Sequence, residues 1–151
     1  KTTSNTFVER VSYFDCMLEL TNLGKLLGIV SNFWDRQKHV RHEVASVSGG
    51  CMMFAKTCFQ KLGGFDERFF LYLEDVDFCV RAKKAGYTVV AVPDAQIFHE
   101  GGGSSTNDKK YDKKSWLDSR QYFFRKNFRG IFQYLLFKTI DIFERVLIFS
   151  R

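Results

Sequence analysis

The stretch from Lys56 to Phe98 limits the fold most, because helical and β-type patterns alternate along it. Two helices are expected, each followed by glycine, which is common just after a helix C-terminus. Two apolar strands come next. In chain order the predicted elements are helix Lys56–Leu62 with Gly63-Gly64, helix Val76–Ala85 with Gly86, strand Tyr87–Val92 with Pro93, and strand Ala95–Phe98. Helices that alternate with strands predict an α/β layer structure.

Three carboxylates, on Glu74, Asp75 and Asp77, stand where the second of these helices begins. The free N–H groups and the positive end of the helix dipole favour negative charge there, so all three can serve simply to start the helix. A carboxylate held at this place is also able to act as a general base. Asp77 and Arg81 are four residues apart, and we expect an ion pair between them that supports the helix.

A strand at Val44–Val47 is predicted to deliver the chain to Ser48-Gly49-Gly50. The two glycines allow an ordinary turn, and they equally allow the close approach of a ligand or another backbone. The apolar pattern elsewhere predicts two helices within residues 7–30, a buried run at Cys51–Phe54 and core side chains at Phe69–Leu73.

His99 follows the last predicted strand and precedes the glycine-rich run of residues 100–105. A histidine at a strand end is either a hydrogen-bonded surface residue or a metal ligand. The residues alone leave both interpretations open.

Three ordered motifs carry a family resemblance: GGFDERFF, then LYLEDVDFCVRAKKAGY, then VVAVPDAQIFHEGGGSS. From about Val47 to Ser105 the chain resembles the acceptor-side half of family 2 glycosyltransferases of the GT-A fold, in particular the rhamnosyltransferase-like members. The resemblance implies that residues 1–106 are the C-terminal portion of a GT-A domain. It also implies transfer of a sugar from a nucleotide-diphospho-sugar to a hydroxyl of a saccharide or lipid-linked acceptor, with inversion, in cell-surface polysaccharide or glycolipid synthesis.

The same resemblance implies roles for single residues. Asp75 would be the catalytic base, and Glu74, Gly49 and Gly50 would border the acceptor. His99 would complete a site for a divalent metal, Mn²⁺ or Mg²⁺, and imidazole suits manganese somewhat better.

Asp75-Val76-Asp77 also reads as the D-x-D pattern with which GT-A enzymes hold metal and diphosphate. The flanking motifs match the acceptor side of the family instead, so we expect the D-x-D motif and most of the donor site upstream of Lys1. The chain is therefore expected to be a fragment that is inactive alone.

Charge separates the last third of the chain from the rest. The formal net charge is +6, and residues 101–151 hold 11 Lys or Arg against 5 Asp or Glu. Residues 107–151 are predicted to form a basic, aromatic, amphipathic helical tail, in which Ile131–Phe149 carries too many charges to span a membrane. Such a tail suggests an anionic membrane surface or a diphosphate group as its partner, although a solvated helical face is an equal alternative.

Two other functions stay open. The tail resembles a nucleic-acid-binding segment in that Tyr122, Phe123 and Phe124 are interleaved with basic residues, but we expect no nucleic-acid partner because consecutive aromatics on a helix point in different directions. The other alternative is a noncatalytic module that acts at a membrane surface or on a partner protein. The four cysteines show no metal-ligand spacing, and we expect reduced core thiols and a cytoplasmic location, with peripheral membrane contact.

Overall fold

The computed structural model describes residues 7–29, 34–35, 40–95, 97 and 109–149, and they form a mixture of helices and short strands. The helices are α1 (Tyr13–Leu20), α2 (Leu23–Leu27), α3 (Lys56–Lys61), α4 (Glu74–Lys84), α5 (Lys109–Asn127) and α6 (Ile131–Phe149). The strands are β1 (Phe7–Val8), β2 (Trp34–Asp35), β3 (His42–Glu43), β4 (Ser46–Val47) and β5 (Val90–Ala91).

Strand β1 lies between β2 and β4 and is antiparallel to both, with Phe7 opposite Val47 and Val8 opposite Ser46. A separate antiparallel pair joins β3 to β5. Residues Phe7 and Val8 were expected to begin a helix, and that expectation was wrong. Both side chains are buried and their backbone pairs with β4, so tertiary pairing overrides their helical spacing.

The predicted strands are shorter in the structure than in the sequence pattern. Of the segment 87–92, only Val90–Ala91 is strand, and Val44–Val47 contributes Ser46–Val47. Ala95 and Ile97 lie outside any strand, whereas the rest of the predicted strand 95–98 lies outside the described residues. The helices agree more closely, since α3 and α4 begin within two residues of the predicted positions.

The main hydrophobic core joins α1, α4, α5 and α6. Phe123 and Phe124 of α5 are buried in it, and the Phe124 ring stacks on Phe137 of α6 with centroids 4.0 Å apart. The C-terminal helices thus complete the core around the acidic start of α4. Phe123 and Phe124 are also unavailable for base stacking, on which the nucleic-acid alternative depended.

The domain division at residues 106 and 107 stays a prediction.

The segment Cys51–Phe54 was expected to be buried, and this was wrong. Met53 is 97% exposed and Phe54 is 38% exposed, because a 3₁₀ turn at Gly49–Cys51 leads the chain over the surface. Cys51 is likewise exposed, whereas Cys16, Cys58 and Cys79 are buried thiols as expected. Phe69 and Leu73 are core residues, but Phe70 between them is 73% exposed.

A buried ion-pair network fastens α6 to α5. The Arg120 guanidinium is 1% exposed, donates to Asp141 Oδ1 at 2.6 Å and to the Leu20 carbonyl at 3.0 Å, and also pairs with Glu144. On the other side of Asp141, Arg145 Nε donates to Oδ2 at 2.9 Å. Asp141, Glu144 and Arg145 of α6 therefore face the protein. Of the helices that the structure describes, none is both long and apolar enough to cross a membrane.

Candidate functional site

Two consecutive residues in the left-handed region turn the chain into α4. Tyr72 has φ 72° and Leu73 has φ 66°, a conformation that is uncommon for residues other than glycine and costs free energy. Leu73 is buried in the main core, and the Tyr72 ring meets Trp116 of α5 edge to face, with centroids 5.6 Å apart. Packing on both residues thus holds a strained turn directly before Glu74 and Asp75.

The Asp75 carboxylate lies at the start of α4 and against the glycine turn. Its Oδ2 accepts a hydrogen bond from the Gly49 N–H at 2.8 Å, and its Oδ1 accepts one from the Val76 N–H at 2.7 Å. The side chain is half-buried, so part of it stays accessible. The structure thus brings together Asp75 and Gly49, which are 26 positions apart in the sequence.

Glycine at position 49 keeps space open beside this carboxylate. A Cβ built on Gly49 would lie 3.4 Å from Asp75 Cβ and 3.6 Å from Oδ2, which is ordinary contact distance. A larger side chain would therefore cover one side of the acid. Gly50 donates its N–H to Ser48 Oγ at 3.3 Å, which stabilises the turn.

Glu74 is half-buried beside Asp75. Burial raises the pKa of its carboxyl group, and the negative charge of Asp75 adds to this effect. Its Oε2 atom is buried and has no hydrogen-bond partner within the described part of the chain. Two adjacent carboxyl groups thus differ in surroundings: Asp75 accepts two backbone hydrogen bonds, whereas Glu74 has a buried oxygen that can still take a partner.

Asp77 points into the protein and is fully buried. The predicted pair with Arg81 is present, with Nε 2.8 Å from Oδ2. Arg81 also donates to the carbonyls of Leu62 and Gly64, each at 2.7 Å, so the pair ties α4 to the turn after α3. Asp77 and Arg81 are thereby placed to support the helix, in the positions that the i,i+4 spacing predicted.

Lys126 of α5 is the connecting residue that the sequence did not indicate. Its Nζ lies 2.6 Å from Asp77 Oδ1 and 2.7 Å from Asp66 Oδ2. Asp66 also accepts from Arg68 at 2.8 Å and from the Tyr122 hydroxyl at 2.9 Å. The acid of the GGFDER motif and the buried acid of α4 thus share one cation, 60 and 49 positions away in the chain.

Replacement of Asp66 by asparagine is expected to make stability depend less on pH. Hydrogen bonds from Arg68, with help from Lys126 and Tyr122, hold the pKa of the Asp66 carboxyl far below its ordinary value of 3.8. The native pKa is below the unfolded one, so this group stabilises the fold above the unfolded pKa, and the contribution is lost as the pH falls through the native pKa. Asp66→Asn should cost about 1–3 kcal/mol near pH 7.

Urea unfolding at several pH values measures this effect, with the exposed neighbour Glu67→Gln as the matched control. The difference in stability between the wild type and Asp66→Asn should be constant above about pH 5, should shrink as the pH falls below about 4 and should vanish only near the native pKa of Asp66, whereas Glu67→Gln should track the wild type throughout. A constant difference between Asp66→Asn and wild type down to acidic pH would contradict the charge-based explanation.

An open groove is lined by a residue of the strained turn together with residues of α5. It has a volume of about 280 Å³ and is lined by Tyr72, Asp112, Lys113 and Trp116. Sequence reasoning treated Tyr72 as core and gave Trp116 no role. Aromatic residues with polar neighbours at a groove are a common composition for a small-molecule site.

His99 lies outside the described residues, as does the whole glycine-rich run of residues 100–105 after it. Within the part of the chain that the structure describes, no group of three or more His, Cys, Asp or Glu side chains is arranged to hold a metal ion. The described acids Glu74, Asp75 and Asp77 have separate environments and form no ligand set. The metal expectation therefore stays a prediction from the sequence.

The family model described as Glycosyl transferase family group 2 matches residues 28–146, most of the chain. The chain belongs to this family. The match extends through α5 and much of α6, so the C-terminal helices belong to the matched region. The mixed helix and sheet architecture fits the GT-A fold of such enzymes.

Curated relatives confirm the rhamnosyltransferase-like resemblance. N-acetylglucosaminyl-diphospho-decaprenol L-rhamnosyltransferase of Mycobacterium tuberculosis is 39% identical over 74 residues, covering 49% of this chain and 24% of the relative. Rhamnosyltransferase WbbL of Escherichia coli K12 is 29% identical over 93 residues, covering 62% and 31%. O-antigen biosynthesis protein RfbC of Myxococcus xanthus is 31% identical over 77 residues, covering 51% and 6%.

The chain thus spans about a quarter to a third of the first two of these relatives and far less of the third. No solved structure gives a significant match.

Proposed function

We propose that the chain is the acceptor-side part of a glycosyltransferase. The full protein would transfer a sugar, rhamnose or another hexose, from a nucleotide-diphospho-sugar to a hydroxyl of a saccharide or lipid-linked acceptor in glycan synthesis. The observation that carries this proposal is the accessible Asp75 carboxylate, fixed by the Gly49 N–H at the start of α4. Family membership and the printed names of the rhamnosyltransferase relatives support it.

Asp75 is assigned as the general base. One of its carboxylate oxygens takes the proton of the acceptor hydroxyl while the hydroxyl oxygen attacks the anomeric carbon of the donor sugar. The bond from the anomeric carbon to the diphosphate oxygen breaks in the same step, and the nucleoside diphosphate leaves. A single displacement of this kind inverts the anomeric configuration.

The strained turn and its neighbours form the proposed acceptor site. Glu74, which is half-buried beside Asp75 and has a raised pKa, is suited to a hydrogen bond with an acceptor hydroxyl. Tyr72, which lines the groove with Trp116, stands three residues before Asp75 in the chain. The groove volume of about 280 Å³ suits a single sugar ring with its apolar face on the aromatic side chains. Gly49 and Gly50 border the other side of Asp75.

Metal dependence and the missing donor half are further parts of the proposal. A divalent cation, Mn²⁺ or Mg²⁺, would neutralise the leaving diphosphate. The argument for it is the His99 motif in the sequence. The remaining donor contacts would lie upstream of Lys1, so the 151-residue chain is expected to be inactive alone.

The test is a sugar-transfer assay on the complete gene product, with a panel of nucleotide sugars and Mn²⁺. Asp75→Asn should lower the turnover at least about 100-fold because proton removal is lost, while donor binding is unchanged. Asp94→Asn is the matched control, since Asp94 is exposed and should leave activity intact. His99→Ala should weaken the dependence on Mn²⁺.

Full activity in Asp75→Asn would show that Asp75 only starts the helix and that the base lies elsewhere. Turnover by the purified 151-residue chain would refute the assignment of the donor site to an upstream segment.

A further inference from the structure

The outer side of α6 is apolar and uncovered. Seven large apolar side chains along it are between 51% and 84% exposed. Their spacing of three and four residues places them on one side of the helix. We call this surface the α6 outer face, and it consists of Ile131, Phe132, Leu135, Leu136, Ile142, Phe143 and Val146. An exposed apolar surface of this extent marks an interaction site.

The charges of α6 divide unequally between its two sides. Its carboxylates, on Asp141 and Glu144, are 0% and 5% exposed and are paired with Arg120. Lys138 is half-exposed and lies at the rim of the α6 outer face, three residues after Leu135. Arg129, two residues before the helix, is exposed. The solvent side of α6 therefore combines apolar side chains with positive charge, and its described carboxylates are turned inward.

This combination favours one occupant. We propose that the α6 outer face lies on an anionic lipid surface, with its apolar side chains at the boundary of headgroups and acyl chains. Lys138 and Arg129 then contact anionic headgroups. The α6 helix of 19 residues is about 28 Å long and lies along the surface rather than across it. The buried network at Arg120 holds the polar side of α6 on the domain, so the helix presents its apolar side outward.

The proposal is independent of the transferase assignment, because no residue of the α6 outer face belongs to the proposed acceptor site. It makes the protein a peripheral protein at a membrane surface. The start of α4, which holds Asp75, is joined to α5 by the ion pair of Asp77 with Lys126. Helix α5 is in turn joined to α6 by Arg120.

Sedimentation of the complete gene product with vesicles tests this proposal, using phosphatidylcholine alone and phosphatidylcholine mixed with phosphatidylglycerol. The wild type should bind the mixed vesicles, and added salt should weaken binding. Phe132→Ser combined with Phe143→Ser should reduce vesicle partitioning at least about tenfold. Phe70→Ser is the matched control, since Phe70 is 73% exposed but lies outside α6. Lys138→Glu should weaken binding to the anionic vesicles and leave the residual binding to neutral vesicles unchanged.

Two results would overturn the proposal. One is vesicle binding that the double substitution leaves unchanged. The other is absence of binding to the mixed vesicles; a dimer in analytical ultracentrifugation that the double substitution dissociates would then make a second copy of the chain the occupant. Circular dichroism of each variant verifies that α6 is still folded. Sugar transfer to a soluble acceptor is measured in parallel, so failure of membrane binding is separable from failure of the transferase assignment.

Discussion

Replacement of Arg120 by methionine is expected to lower the free energy of unfolding by about 3–5 kcal/mol. The guanidinium is the shared partner of Asp141 and Glu144, and all three side chains are buried. Methionine fills similar space but leaves the two carboxylates short of positive charge in a medium that solvates them poorly. Arg145 still pairs with Asp141, and this retained contact limits the loss.

Urea unfolding followed by circular dichroism measures the change, and Lys114→Met is the matched control. Lys114 pairs with Asp118 on an exposed part of α5, and loss of that pair should cost less than about 1 kcal/mol. Arg120→Lys should recover only part of the loss, because one ammonium group cannot reproduce the guanidinium contacts with both acids and the Leu20 carbonyl. Equal stability of the Arg120→Met and Lys114→Met variants would show that the network contributes nothing beyond an exposed pair.

Asp77→Ala is expected to cost a similar amount, about 3–5 kcal/mol, by removing the fully buried acid between Arg81 and Lys126. Arg81 would keep its contacts with the Leu62 and Gly64 carbonyls, but without a buried counterion. Lys126 would keep Asp66. The start of α4 would lose its fixed position relative to α5 and to the turn after α3.

Thermal and urea unfolding measure this loss, and Asp94→Ala serves as the control on an exposed acid, with an expected change within about 0.5 kcal/mol. If Asp77→Ala unfolds like Asp94→Ala, the ion pairs at Asp77 are dispensable. Comparison of Asp77→Ala with Asp75→Asn also separates the structural role of Asp77 from the proposed catalytic role of Asp75. Asp77→Ala should lower mainly stability, whereas Asp75→Asn should lower turnover and cost only about 1 kcal/mol of stability, because the amide oxygen can still accept one of the two backbone hydrogen bonds.

Local patterns predicted the features of the site that depend on residues near each other in the chain. The glycine after the helix and the acidic residues at its start predicted the bounds of α4 to within two residues. The i,i+4 rule predicted the Asp77–Arg81 ion pair. The motif resemblance to family 2 glycosyltransferases, rhamnosyltransferase-like, is confirmed by the family model and relatives. Three assignments stay predictions: Asp75 as the base, Glu74, Gly49 and Gly50 at the acceptor site, and His99 as a metal ligand.

Long-range contacts were not predictable from these patterns. Nothing in the sequence around Lys126 indicates Asp66 and Asp77 as partners, because the three residues meet only after α5 packs on the core. Helical periodicity showed that Ile131–Phe149 is amphipathic, but it did not show which side is buried. The pairing of Asp141 and Glu144 with Arg120 decides that question, and it turns the apolar side outward.

The position of Lys126 also determines how small a working version of this site can be. The acid within the GGFDER motif and the acid one turn into α4 share a cation that belongs to α5. A shortened chain that ends at the glycine-rich run keeps the three motifs that carry the resemblance yet discards the cation that joins two of them. The minimal folding unit around Asp75 is therefore longer than the stretch that holds those three motifs.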